Sequence, residues 1–110
     1  MGYTNHQTII VTTYRLEYIE EAHRKAKEIF TQKISEILRA PVNDWYTFII
    51  PTDGSKEGWE DSQVGDTQRE AFKNWVKEMG FSDESNRYTC IELSYDEEGE
   101  IKTELVGKMI

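Results

Sequence analysis

The β-branched run QTIIVTT, Gln7–Thr13, is short and predicts a strand. The period then changes. Leu16, Ile19, His23, Ala26, Phe30, Ile34 and Ile37 recur at steps of three and four, so Arg15–Ala40 reads as one long amphipathic helix with a break point near Thr31–Lys33. Pro41 ends it, because proline disfavours helical geometry in the residue before it. DWYTFIIP, Asp44–Pro51, is apolar on both alternating sets and predicts a strand central in a sheet. A long connection follows, PTDGSKEGWEDSQVGDTQREAFKNWV, Pro51–Val76, which runs into a second helix. Thr67 with Glu70 reads as a capping box, and Asp66 places negative charge at the helix start. Phe72, Trp75, Val76 and Met79 form the apolar stripe, and Gly80 suits a left-handed C-terminal cap. The remainder alternates with period two, Ile91, Leu93 and Tyr95 inward against Cys90, Glu92 and Ser94 outward. A DEEG turn leads to Ile101, Thr103 and Leu105, a hairpin in which Gly99 supplies a positive φ.

The order β-α-β-α-β-β predicts an α+β fold of two layers: an about four-stranded mixed sheet with two helices on one face, in a single domain over 1–110. Two helices cover only one sheet face. The other is expected to show Cys90, Glu92, Ser94 and Glu104 from the hairpin and apolar groups from the first two strands. Either it contacts a twin subunit or another protein, or the connection carrying Trp59 folds back over it.

Charge narrows the partners. Of 110 residues, 21 are acidic and 13 basic, a net charge of −8. Such a field repels nucleic-acid phosphates and anionic membranes unless bases cluster. They do not: Arg15–Ala40 sums to +1, Thr52–Asp66 to −4 and Phe81–Ile110 to −5. Neither nucleic acid nor a membrane is expected as a partner. A lone Cys90 cannot close an intrachain disulfide, no segment approaches a membrane span, and the start MGYTNHQT has no apolar signal core; the expected location is cytoplasmic.

The chemical inventory points away from catalysis. Cys90 and His23 are the only thiol and the only histidine outside the terminus, and no spacing joins them, so no catalytic residue is assigned. Asp53–Val64 follows a calcium loop in its early oxygen positions and its sixth-place glycine, but Val64 stands where a bidentate glutamate is required. No metal and no cofactor are expected. The loop's acidity also opposes phosphate binding. Its Asp53-Gly54-Ser55 has ordinary turn chemistry. Trp59, an indole without a periodic partner, is either a core plug or an exposed anchor.

FIIPTDGSKEGWEDSQVGDTQREAFKNWV with YTCIELSYDEEGE resembles short uncharacterised proteins of phages and related mobile elements, over roughly Asp44–Gly99 and most specifically at Asp53–Trp59. The group has no established activity, so the resemblance implies no catalytic residue. It implies a phage or prophage origin and action inside a bacterial host cell.

The leading expectation is a small acidic, non-enzymatic protein-binding module, an effector or inhibitor of a host protein. Its binding residues would be Asp53, Lys56, Glu57, Trp59, Glu60 and Asp61. The alternatives are a small enzyme or ligand-binding domain with its site at the 52–66 connection, and a structural homodimer through the open sheet face.

Overall fold

A computed structural model describes residues 5–55 and 60–109. Its elements are β1 (Asn5–Thr13), α1 (Leu16–Ile29), β2 (Leu38–Arg39), β3 (Tyr46–Ile50), α2 (Glu60–Glu78), β4 (Thr89–Asp96) and β5 (Ile101–Gly107). The α+β class holds. The sheet has five strands in the order β2-β3-β1-β4-β5, and every pairing is antiparallel, where four strands in a mixed sheet were expected.

Both differences have one cause. α1 ends at Ile29, just before the expected break point near Thr31–Lys33, with Phe30 already extended at φ −89° and ψ 132°, and it does not resume toward Ala40. Had it continued, the chain would have entered β3 parallel to β1. Instead residues 31–40 run back along the sheet, where Ser35 N–H donates to Ile49 O at 3.0 Å and Ile49 N–H donates to Ser35 Oγ at 2.7 Å. The return stretch ends in β2, and Asn43 and Asp44 turn the chain with φ of 66° and 53°, a left-handed geometry these two residue types tolerate. Ile34 and Ile37 still pack on the core, so their helical spacing was coincidental with burial in an extended segment. β3 is interior, but β1 holds the centre of the sheet.

The core lies between the helices and one sheet face. Ile9 and Val11 of β1, Phe48 and Ile50 of β3, Cys90 of β4 and Val106 of β5 meet Ile19, Ala22 and Ala26 of α1 and Phe72 and Val76 of α2. Each fully buried side chain of this size contributes about 1.5–3 kcal/mol. Phe72 is the hub of the aromatic packing, with ring centroids 5.9 Å from Phe30, 6.4 Å from Phe48 and 5.9 Å from Trp75. The loop into β4 is pinned by buried Asn86, whose Nδ2 donates to Val76 O at 2.8 Å while its Oδ1 accepts from Tyr88 N–H at 3.0 Å.

Two features of α2 correct the sequence reading. Thr67 lies inside the helix, its hydroxyl donating to Gln63 O four residues back at 3.0 Å, so it is no cap. Gly80 is not in the left-handed region; a Cβ there would lie 3.2 Å from Lys77 O, so glycine permits a close backbone approach. The Asp96–Gly99 turn is as expected, with Gly99 at φ 83°.

Candidate functional site

The connection brings together only some of the expected residues. Lys56, Glu57 and Trp59 lie outside the described residues. Glu60 and Asp61 occupy the exposed first turn of α2, where their charge complements the helix N-terminus. Asp53 points the other way. Its Oδ1 accepts from Ser55 N–H and Oγ, and its Oδ2 lies 3.4 Å from Arg69 Nη1. Burial alone would raise its pKa, but the Ser55 hydrogen bonds and the Arg69 guanidinium outweigh it and hold the carboxyl below its ordinary value. Gly65, buried inside α2, makes this approach possible, since a Cβ there would collide with the Asp53 carboxylate.

Asp53 and Asp61 share a cleft of about 310 Å³ with Thr31, Gln32, Ser55 and Gln68, while Glu60 opens onto a different depression with Gln63 and Thr67. The described lining of the cleft holds no histidine, cysteine or lysine; its Ser55 hydroxyl meets the Asp53 carboxylate at 2.7 Å, but that carboxyl is held below its ordinary pKa and is a weak base. Residues 60–64 are helical, which dismantles the calcium-loop reading, and no cluster of metal-binding side chains occurs among the described residues.

The remaining candidate chemistry is structural. His23 Nε2 donates to Ser35 O at 2.9 Å and its ring stands edge-on to Phe48, 5.1 Å between centroids, so this imidazole ties α1 to the return stretch. Burial, with the charge of Glu92 behind it, pushes the Cys90 thiol up to about 12, which leaves it an inert core group.

A buried ion cluster was missed by the sequence reading. Arg69 and Lys73 stand on the inner stripe of α2 with Phe72 and Val76, their side chains 5% and 7% exposed. Lys73 Nζ reaches Glu92 at 2.9 Å, Glu104 at 3.0 Å and Glu70 at 3.3 Å. Arg69 reaches Asp66 at 2.5 Å and Glu92 at 3.9 Å. Burial opposes the charge on Lys73, but the hydrogen bonds to Glu92 and Glu104 prevail and its pKa is raised. Arg69 and Lys73, four apart within an apolar stripe, were the legible signal.

This cluster reverses the hairpin. Cys90, Glu92 and Glu104 face α2, and Ile91, Leu93 and Tyr95 face away, opposite to the expected alternation. The registers then assemble the open face in rows across the strands. One row is Ile49, Ile10, Ile91 and Leu105. On one side of it lie Leu38, Thr47, Thr12 and Thr89; on the other lie Thr8, Leu93 and Thr103, then His6, Tyr95 and Ile101. No Asp, Glu, Lys or Arg stands in these strand positions, in a chain 31% charged. Several side chains are well exposed, Ile101 at 66%, Leu105 at 58% and Leu38 at 56%. Thr12 and Thr47 bond each other across the strands at 3.1 Å.

No protein-family model, curated protein or solved structure matches this chain. No helix among the described residues is long and apolar enough to cross a membrane.

Proposed function

We propose that this chain is a small, non-enzymatic protein-binding module whose contact surface is the open sheet face. The observation that supports it is the row Ile49–Ile10–Ile91–Leu105, an uncharged aliphatic band on a protein of net charge −8. Contiguous exposed apolar patches on soluble chains mark contact sites. The 52–66 connection is secondary in this reading, because Asp53 is committed to Ser55 and Arg69. An origin in a phage and a role as effector in a bacterial cytoplasm belong to the same proposal and rest on the resemblance alone.

The test is affinity capture with tagged wild type and tagged Leu105→Lys, from bacterial lysate that also contains the untagged chain. Retention of a protein, the untagged chain or another, by wild type and its loss by Leu105→Lys is the expected result. Equal retention by both would move the contact to another surface. No retention by either would count against a binding role.

A further inference from the structure

We infer that the occupant of the open face is a second copy of this chain, packed sheet against sheet; this inference rests on reading that face as a contact surface. Charge is the first argument. At −8 per chain, two copies repel each other over most of their surfaces, and the approach is least opposed where no charged side chain stands. That place is the open face. A partner selected by charge would find nothing there to read.

The pattern of the face is the second argument. A two-fold contact needs a surface that complements itself. With the axis lying along the Ile49–Ile10–Ile91–Leu105 row, each aliphatic side chain meets its own counterpart, Thr12 of one copy meets Thr8 of the other, and Thr89 meets Leu93. The Thr12–Thr47 hydroxyl pair already satisfies one donor within the chain, which lowers the cost of removing water. Sheets joined this way pack about 10 Å apart with strands within about 30° of each other.

Area is the third. Five strands about 4.8 Å apart, from two to nine residues long at about 3.4 Å per residue, make a face of about 500 Å² per copy. The total of about 1,000 Å² stands at the threshold of a specific interface and below the standard size, so the dimer should dissociate on dilution.

Sedimentation of the purified chain tests this, with wild type beside Leu105→Lys and Ile101→Lys, both at well-exposed positions and each checked for a native circular-dichroism spectrum. Wild type at about 100 µM is expected to sediment at twice the 12.9 kDa of one chain, and either variant to weaken association at least about tenfold. Added salt should tighten the wild-type dimer by screening its net charge. A wild type that stays monomeric at about 100 µM overturns the second copy and leaves the contact-surface reading to the capture experiment. A dimer that persists unchanged in both variants overturns the assignment to this face.

Discussion

On the covered face of the β4–β5 hairpin, Glu92 and Glu104 are held under α2 by Lys73, with Arg69 beside Glu92; on the open face, Tyr95, Ile101 and Leu105 are exposed and Ile91 and Leu93 half-buried. A solvated hairpin would carry these two sets the other way round. Burying paired charges is no general route to stability, since desolvation consumes most of the attraction. Removing one member is another matter, because it strands the rest. The covered side therefore ties α2 to β4 and β5, and the open side stays apolar among the described residues. The proposed contact gives the outward set of the hairpin a role that packing among the described residues does not.

Breaking the covered side should have the largest effect. Lys73→Ala leaves buried Glu92 without its nearest cation and is expected to cost about 4 kcal/mol in urea unfolding; a loss under about 1 kcal/mol would make the cluster incidental. Adjacent residues of β1 give the sharpest contrast across the sheet. Ile9→Ala, fully buried under the helices, is expected to cost about 3 kcal/mol, and Ile10→Ala, on the open face, about 1 kcal/mol when measured at concentrations that favour monomer. Equal costs would mean that the open face is already packed within one chain.

Gly65→Ala forces a methyl against the Asp53 carboxylate and the Arg69 guanidinium, whose Nη1 would lie 3.1 Å away, and is expected to cost about 2 kcal/mol in the same assay.

Acid should act on the covered side as well. Hydrogen bonding to Lys73 lowers the pKa of Glu104, and that of Asp53 is lowered too, so both bind protons less readily folded than unfolded. Their stabilisation is complete above the ordinary carboxylate range near pH 4 and is lost as pH falls through their depressed folded values. Thermal unfolding between about pH 6 and pH 3 should therefore show a falling Tm, with a shallower fall in Lys73→Met. The raised pKa of Lys73 has the opposite sign, its contribution being lost only as pH climbs beyond the ordinary lysine range. Smallest is Asp61→Asn, which removes a first-turn charge from α2 and is expected to cost about 0.5 kcal/mol while leaving self-association unchanged.

The sequence disclosed those parts of the fold whose burial follows local periodicity. Val11, Phe48, Phe72 and Val76 sit where their spacing puts them, and Gly99 turns the hairpin. The return stretch did not show itself, because Ile34 and Ile37 satisfy helical spacing while packing from an extended chain, and the Asn43-Asp44 turn stood unread behind Pro41. The hairpin alternation was legible but its sense was not. Alternation alone puts the apolar residues inward, and only the buried positions of Arg69 and Lys73, which demand carboxylates beneath α2, decide that Glu92 and Glu104 face the helix. The same gap hid the candidate site: acids and glycines drew the reading to the 52–66 connection, while the uncharged face emerges only when strands distant in sequence are set side by side.

Methyl NMR spectra recorded across a dilution series would test the central claim most directly, because they separate the two faces residue by residue. The account predicts that resonances of Ile10, Ile49, Ile91, Leu93 and Leu105 shift or broaden together as concentration rises, while those of Ile9, Ile19 and Ile50 stay fixed. Open-face methyls that do not respond at any concentration, or responses confined to other surfaces, would contradict it.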